Sequence, residues 1–347
     1  MIKPVVLYGI GDGADKVLEL CEAKRIKVSG IFASDDFAKG QVFRGYKVKK
    51  LSEIEEEYKD FCILLAFGTK NPEVMERIYR LGEKYELYAP HFPLFGGGHF
   101  DADYIKGNMG AIEKAYSLLR DDASRKVYSG AIDFMVSGKL QYLKECESPK
   151  SEALDLLGLQ SGLYYIDAGA YDGDTVLELN DYLGGKNIKR IDAFEPDRKN
   201  FGRLKAHMLE SGLSQLCRLH NAAVWSGEQM LCFQAKSGKS SGVGQKQTPE
   251  KTPAHRLDDI LDYALLEGES LIKYDVEGSE YEAIKGTRGI MAKYAPKLIV
   301  SLYHRTGDIF ALPLLLHSIN PDYDLYIRKH PSLPCWDLNL YAVGRKK

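Results

Sequence analysis

Acidic and glycine residues follow an apolar segment near the middle of the chain. The stretch YYIDAGAYDGDT, at residues 164–175, places Asp167 at the end of a strand-like run, and Gly169 and Gly173 lie in the turn that follows. Glycine lets the backbone approach a ligand closely and adopt turns that are closed to other residues. Because ligands of open α/β sheets bind outside the carboxyl ends of the strands, we expect a ligand at this turn.

The charges around this turn indicate the kind of ligand. Asp167, Asp172 and Asp174 would repel a pyrophosphate, but they suit a molecule that carries an ammonium and a sulfonium group. The segment AFEP places Glu195 at the end of the next strand-like run, where a carboxylate can accept both ribose hydroxyls of an adenosine. In the segment HNAAV, Asn221 is a candidate for contact with the adenine edge through its side chain or backbone.

Alternating strand and helix patterns position these residues. From Leu163 onward, apolar and β-branched runs, among them LYYIDA and IKRIDAF, predict strands, and helical patterns such as YEAIKGTRGIM separate most of them. The fourth strand-like run, in IKYDVEGSEYEAIKG, ends at Asp275 and Glu277, beside the crevice at the carboxyl ends of the strands where we expect the ligand. The last two strands, YDLYIRK and LNLYAVG, are joined by a loop alone. A parallel sheet that ends in a hairpin is the layout of the class I methyltransferase fold.

The chain before this point predicts two further parts. Residues 1–100 alternate strands and helices and predict a smaller Rossmann-like unit; one helix begins at Asn71 as its cap, with Pro72 in the first turn. Residues 101–160 carry apolar positions at helical spacing and no strand signal, which predicts a helical bridge. The predicted class is therefore α/β, with the methyltransferase-like domain at residues 161–347.

The C-terminal half resembles the FkbM-type methyltransferases. The resemblance rests on an ordered set of segments, DAGAYDGDT, FEP, NAAV, LDDIL and IKYDVEGSEYEAIKG, and it runs from about Leu163 to the end of the chain. The family is known for O-methylation, chiefly of hydroxyls on sugars and polyketides, with S-adenosylmethionine as methyl donor. This sequence departs from the family at Ala170-Tyr171, where Ala-Asn is more usual. The residues assigned to the cofactor are Asp167, Gly169, Ala170, Tyr171, Gly173, Thr175, Glu195, Pro196, Asn221, Ala222, Asp275 and Glu277.

Methyl transfer to a hydroxyl requires alignment with the methyl carbon and, in addition, a group that takes the hydroxyl proton. His304 follows the strand-like run KLIVSLY on the acceptor side of the crevice and is the first candidate base. Asp308 lies four residues later and would orient the ring if the turn is helical. Asp275 is a further catalytic candidate, and His330, at the end of YDLYIRKH, is an alternative base.

Other chemistry is also compatible with these residues. Asp275, Glu277 and His304 could hold a divalent metal, but carboxylates beside a cationic cofactor need no metal to explain them, so we expect none. Tyr303, Trp336 and Tyr341 are candidates to line a sugar site, or are core residues. In HRLDDIL the two adjacent acids, Asp258 and Asp259, fit a helix cap at least as well as a site.

A second glycine-rich turn lies near the N-terminus. YGIGDGA contains Gly9, Gly11 and Ala14 in a dinucleotide-like pattern, and Asp35 and Asp36 follow the next strand at a spacing that suits a ribose contact. The segment also resembles the nucleotide-sugar-binding domains of some sugar-modifying enzymes. The turn is therefore a candidate site for a nucleotide sugar, a structural or dimerising element, or, least favoured, a dinucleotide site.

Composition limits the function classes. With a formal net charge of -2, the 347 residues have no basic excess for nucleic acid or an anionic membrane surface. No apolar run is long enough to span a bilayer, and we expect a cytosolic protein. The favoured function is methylation of a sugar hydroxyl in a glycan or a nucleotide-linked precursor. A non-catalytic nucleotide-sugar-binding protein and a nicotinamide-dependent oxidoreductase are the alternatives.

Overall fold

The computed structural model describes residues 3–96, 98–184, 187–233 and 250–345. It confirms the predicted α/β class: parallel pairing dominates both large sheets, and helices connect their strands. Among the described residues, no helix combines the length and the apolar character needed to cross a membrane.

The N-terminal part is a six-stranded sheet with its own helices. Its strands are β1 (Val5–Tyr8), β2 (Val28–Phe32), β3 (Val42–Phe43), β4 (Tyr46–Lys49), β5 (Cys62–Leu65) and β6 (Glu86–Tyr88), and its helices are α1 (Asp12–Ala23), α2 (Leu51–Glu57) and α3 (Pro72–Lys84). The strand order is β3-β4-β2-β1-β5-β6, and only the β3–β4 hairpin is antiparallel. The predicted cap of α3 is present, since Asn71 accepts hydrogen bonds from the amides of Glu73 and Val74.

The bridge is helical, as its spacing indicates. It contains α4 (Ala102–Ser117), α5 (Asp122–Ser137), α6 (Gln141–Lys144) and α7 (Lys150–Leu157). The side chains of Asp101 and Asp121 cap the first two helices by accepting backbone hydrogen bonds. These helices pack between the two sheets and carry part of the core that both sheets share.

The C-terminal part has the seven-stranded sheet that the sequence predicts. Its strands are β7 (Leu163–Ala168), β8 (Ile188–Phe194), β9 (Cys217–His220), β13 (Ser270–Tyr274), β14 (Lys297–Ser301), β15 (Tyr323–Lys329) and β16 (Leu338–Gly344), with β10 (Ala223–Val224), β11 (Gln229–Phe233) and β12 (Glu250–His255) forming a separate small sheet. The order is β15-β16-β14-β13-β7-β8-β9. Only β16 runs antiparallel to its neighbours, so the sheet ends in the predicted hairpin.

The helices of this part differ from the prediction at one place. They are α8 (Asp174–Tyr182), α9 (Arg198–Glu210), α10 (Leu257–Ile260), α11 (Tyr263–Leu266), α12 (Glu280–Lys285), α13 (Arg288–Tyr294) and α14 (Asp308–Ile319). The segment YEAIKGTRGIM, predicted as one helix, is divided between α12 and α13. A Cβ at Gly286 would lie 2.0 Å from the carbonyl oxygen of Trp225, so the chain at the break is packed tightly. Asp258 caps α13 by accepting from the amides of Gly289 and Ile290.

One apolar core runs through all three parts of the chain. It joins Val6 of the N-terminal sheet, Phe134 of the bridge and Ile166 of the C-terminal sheet. Backbone hydrogen bonds in both directions between Thr69 and Leu333 add a direct link between the two sheets' loops. The N-terminal part is therefore held against the carboxyl edge of the C-terminal sheet.

Candidate active site

A cavity of about 920 Å³ opens at the carboxyl ends of β7, β8 and β13. Eight of the residues that the sequence assigns to a ligand line it: Gly169, Tyr171, Thr175, Glu195, Pro196, Ala222, Asp275 and Glu277. The other four, Asp167, Ala170, Gly173 and Asn221, are not among the lining residues and support the walls. The strand ends thus mark the position of the cavity, but they do not distinguish the residues that line it from those behind them.

The turn after β7 adopts a backbone conformation that its glycines permit. Gly169 and Gly173 have φ values of 88° and 91°, and Tyr171 has 50°. A Cβ at Gly169 would lie 1.9 Å from the carbonyl oxygen of Asp275, so only glycine lets the turn pack this closely on the end of β13. The turn and the end of β13 therefore form one wall of the cavity together.

Glu195 is a buried carboxylate at the end of β8, on the wall of the cavity. Its Oε2 accepts from the amide of Tyr171 at 2.9 Å, and its Oε1 accepts from the amide of Asp197 at 2.8 Å. Burial raises the pKa of Glu195 to about 7, against the effect of these two hydrogen bonds. Asn221 donates to the carbonyls of Glu195 and Pro196, at 2.9 and 3.2 Å, so its side-chain amide holds this loop rather than facing the cavity.

Asp167 belongs to a buried ion pair that the sequence analysis missed. It lies opposite Lys273 in the β7–β13 register, and Lys273 Nζ donates to its Oδ1 at 3.2 Å while Tyr165 donates to its Oδ2 at 3.1 Å. Burial raises the pKa of Asp167, and the attraction of Asp167 and Asp275 outweighs burial to raise the pKa of Lys273. Lys273, unlike Asp167, lines the cavity. The available signal was a lysine within an otherwise apolar strand, LIKYDV.

His304 is the centre of a second buried cluster. Its Nδ1 lies 2.8 Å from Glu280 Oε1, and its Nε2 lies 3.5 Å from Asp275 Oδ1 and 3.9 Å from Glu277 Oε2. Burial lowers the pKa of His304, but the hydrogen bond to Glu280 and the charges of the other two carboxylates outweigh it and raise the pKa to about 9. The ring does not line the cavity, whereas Asp275 and Tyr303 beside it do.

The orienting partner of His304 is Glu280 and not Asp308, as the sequence led us to expect. Asp308 begins α14, and its Oδ2 accepts from the amide of Arg305 at 2.7 Å, so it holds the turn that precedes its own helix. Burial and the charge of Glu280 raise the pKa of Asp308 to about 7. Because α12 brings Glu280 to the ring from a different strand end, the spacing of four residues along the chain could not identify this partner.

The remaining candidates divide between the cavity and the core. Tyr303 donates to Asp275 Oδ1 at 3.2 Å and lines the cavity, as does Tyr341. His330 also lines it; its Nε2 lies 2.7 Å from Tyr341 Oη, its Nδ1 contacts a backbone carbonyl, and burial lowers its pKa. Trp336 does not line the cavity and instead packs its ring against Gly68.

The N-terminal part contributes two residues to the cavity wall. Phe95 donates its backbone amide to the carbonyl of His304 at 3.0 Å, and its ring lies edge-on to the imidazole at a centroid distance of 5.8 Å. Lys70 pairs with Asp337 at 2.9 Å. Both Phe95 and Lys70 line the cavity. Neither was predicted, because nothing in the local sequence indicates that the loops of one sheet close over the other.

The N-terminal turn has the geometry that its pattern predicts. Gly9 and Gly11 have φ values of 122° and 105°, and a Cβ at Gly13 would lie 2.1 Å from the carbonyl oxygen of Ala66, which explains the close approach of α1 to β5. Asp35 follows β2 and is exposed. The turn is therefore well formed, and its ligand stays a prediction.

Comparisons with known proteins concern the family and the fold. Residues 167–330 match the model of the methyltransferase FkbM domain. A crystal structure of a methyltransferase FkbM from Methylobacillus flagellatus KT is similar over 98% of this chain and 90% of that chain, with a TM-score of 0.73 and 23% identity. A precorrin-6y C5,15-methyltransferase from Geobacter metallireducens GS-15 matches 57% of this chain and 87% of its own, with a TM-score of 0.35 and 15% identity. Comparison with curated proteins gave no match.

Proposed function

We propose that the chain, whose residues 167–330 match the model of the methyltransferase FkbM domain, transfers a methyl group from S-adenosylmethionine to a hydroxyl of a sugar. The observation that carries the proposal is the cavity at the carboxyl ends of β7, β8 and β13, with carboxylates at its cofactor end and a His304 cluster behind its other end. The acceptor is a glycan or a nucleotide-linked precursor.

The cofactor end suits an adenosine with a cationic tail. Glu195 faces the cavity from the end of β8, where a carboxylate can accept from the two ribose hydroxyls. Asp174 and Asp275 line the same cavity and oppose a phosphate group, but they attract an ammonium or a sulfonium. This distribution of charge supports S-adenosylmethionine over a dinucleotide.

The acceptor end combines aromatic and polar groups. Tyr303, Tyr341 and Phe95 supply apolar ring surface, while Asp337 and Asn339 supply hydrogen-bonding groups on the same wall. A sugar presents both apolar C–H faces and hydroxyls, so such a wall suits it. The known preference of the family for hydroxyls of sugars and polyketides supports the same class.

The proposed reaction is an in-line displacement. The acceptor oxygen bonds to the methyl carbon, and the carbon–sulfur bond breaks with its electron pair staying on sulfur, which becomes neutral. The hydroxyl proton leaves to the protein, and we propose that the cluster of His304 and Asp275 activates this hydroxyl. As a simple base, His304 has to be neutral, and a pKa of about 9 leaves it mostly protonated at pH 7 unless the cationic cofactor lowers it.

Methyl transfer itself tests the proposal. The intact chain is incubated with S-adenosylmethionine labelled in its methyl group and with a panel of sugars and nucleotide sugars, and label is followed into product. We expect His304→Ala to lower turnover by about 10²-fold or more while cofactor affinity, measured by calorimetry, stays nearly unchanged. Glu210→Ala, which removes an exposed carboxylate of α9, is the control and should leave both quantities unchanged.

Other outcomes would redirect the assignment. Near-normal turnover in His304→Ala would move attention to His330, which lines the cavity, or to Asp275. Saturable binding of a nucleotide sugar without cofactor binding or transfer would favour the alternative of a non-catalytic nucleotide-sugar-binding protein. In that case the turn at Gly9 and Gly11 would be the first place to look for the ligand.

A further inference from the structure

The His304 cluster brings together three groups that ligate metals. Donor atoms of Asp275, Glu280 and His304 lie within 4.8 Å of one another. The three residues come from different elements: Asp275 follows β13, Glu280 begins α12, and His304 follows β14. The folded sheet, and not a local sequence motif, therefore assembles this donor set.

One oxygen in the cluster is unsatisfied. Glu280 is 1% exposed, and its Oε1 accepts from the amide of Val276 at 2.8 Å and pairs with His304 Nδ1 at 2.8 Å. Its buried Oε2 has no hydrogen-bond partner among the described residues. An unpaired, buried oxygen of a charged carboxylate destabilises the folded protein. A cation or a hydrogen-bond donor at this atom would remove that cost.

Negative charge exceeds positive charge around the ring. Asp275, Glu277 and Glu280 present three carboxylates to one imidazole, and the nearby Lys273 divides its charge between Asp167 and Asp275, at 3.2 and 3.6 Å. A protonated imidazole alone does not balance these carboxylates. A divalent cation would neutralise two of the three negative charges.

The cluster is also reachable from the cavity. The side chain of Asp275 is 30% exposed and lines the cavity, and Glu277, whose side chain is 69% exposed, lies at the rim 3.9 Å from His304 Nε2. Asp275 therefore joins the cavity to the two buried residues of the cluster.

We propose that Asp275, Glu280 and His304 bind one divalent cation at the acceptor end of the cavity. Mixed carboxylate and imidazole ligands suit ions such as manganese or zinc. The inference rests on the proposed methyl transfer and deepens it: the cation would bind the acceptor oxygen and lower the pKa of its hydroxyl. His304 then ligates the ion instead of taking the proton, which leaves to solvent past the exposed carboxylate of Glu277.

Metal binding to the intact chain tests this proposal without an acceptor. Protein freed of metal with a chelator is titrated calorimetrically with manganese chloride and, separately, with zinc chloride. We expect one equivalent of at least one ion to bind saturably, and we expect Asp275→Asn and Glu280→Gln each to weaken it by at least 10-fold. Asp337→Asn is the matched control, because it changes a carboxylate of the same cavity wall outside the cluster and should leave metal affinity unchanged.

The design separates failure of the metal site from failure of the enzyme proposal. Because Glu280 is buried and its variant can misfold, the partly exposed Asp275 gives the decisive variant, and thermal melts verify its fold. No saturable binding of either ion, or equal affinity in Asp275→Asn and the unchanged protein, overturns the site. Binding of S-adenosylmethionine is measured in parallel: if it persists without metal binding, only this inference fails, and if it is absent, the proposed function fails independently.

Discussion

At the scale of single residues, burial decides what each carboxylate of the site can do. Asp167 is fully buried and paired with Lys273, so it fixes the end of β7 and does not line the cavity. Glu195 is also buried but faces the cavity, and its pKa of about 7 places its charge change near neutral pH. A carboxylate thus stabilises the sheet at the end of β7 and, we propose, binds the cofactor at the end of β8.

The raised pKa of Glu195 makes cofactor affinity depend on pH. The carboxylate accepts ribose hydroxyls best when ionised, so affinity for S-adenosylmethionine should rise between pH 6 and pH 8 as the proton leaves. Glu195→Gln should remove this dependence, and Glu195→Ala should weaken binding by about 10- to 100-fold, since a hydrogen bond to a charged group contributes about 1.5–3 kcal/mol. Calorimetric titration at several pH values measures both effects.

Two results would contradict this role of Glu195. One is an unchanged affinity in Glu195→Ala, and the other is the same pH dependence in Glu195→Gln as in the unchanged protein. Glu210→Ala serves again as the control for removal of a carboxylate, because Glu210 is exposed on α9 and lies outside the lining of the cavity.

Single residues also show which parts of the site could not be predicted from the sequence. Asp275 and Glu195 were predictable because a strand end in a parallel sheet has one direction, and its polar residues lie at the ligand edge. Lys273 and Glu280 were not, because their partners, Asp167 and His304, are distant in sequence and meet them only through the register of β7 with β13 and the position of α12. Contacts between residues of different elements leave no periodic pattern in the local sequence.

At the scale of elements, long and uniform segments were predictable and short ones were not. The strands Leu163–Ala168, Ile188–Phe194, Tyr323–Lys329 and Leu338–Gly344 have the predicted bounds, because each is rich in aliphatic and aromatic residues. The β3–β4 hairpin was missed. Its two-residue turn consists of Arg44 and Gly45 with φ values of 49° and 85°, and arginine is not a usual signal for such a turn.

The turn after β7 provides a test at this scale. Gly169→Ala should destabilise the protein by roughly 1–3 kcal/mol beyond the cost of a positive φ, because the new Cβ would lie 1.9 Å from the Asp275 carbonyl and force the turn away from β13. Gly212→Ala is the matched control: its φ is 74°, and no atom lies within 4 Å of the new Cβ, so it should cost only about 1–2 kcal/mol.

Urea unfolding monitored by circular dichroism measures both variants, and calorimetry measures their cofactor affinity. We expect Gly169→Ala to lose both stability and cofactor affinity, and Gly212→Ala to keep its affinity. Equal stability losses in the two variants would mean that the turn relaxes freely, and that its close packing on β13 does not shape the cofactor site.

At the scale of the whole molecule, the three parts of the chain depend on one another. Phe95 and Lys70 complete the cavity from the N-terminal part, and bridge residues Asp121 and Glu152 pair with Arg328 of β15, which is 3% exposed. The division at residues 1–100, 101–160 and 161–347 stays a prediction. Whether those boundaries also separate folding units depends on how much of the shared core each part needs.

Whether the N-terminal part folds on its own can be tested by experiment. Its sheet has helices of its own, and one apolar cluster, with Leu7, Ala14 and Val17, lies entirely within it. We therefore expect a fragment of residues 1–100 to melt cooperatively, but below the melting temperature of the intact chain, because it loses the core contacts that Phe134 and Leu333 supply. Circular dichroism melts of the fragment and the intact chain measure the difference.

A single substitution at the same boundary distinguishes a loss of stability from a failure to fold. Trp336→Ala in the intact chain removes the ring that packs against Gly68 and leaves the rest of the shared core in place, so it should lower the melting temperature less than cutting the chain does. A fragment that melts without cooperativity and is rapidly cleaved by protease would contradict the boundary near residue 100. The N-terminal sheet would then be part of the catalytic unit, folded only in its presence, and Phe95 and Lys70 would reach the cavity because both sheets form together.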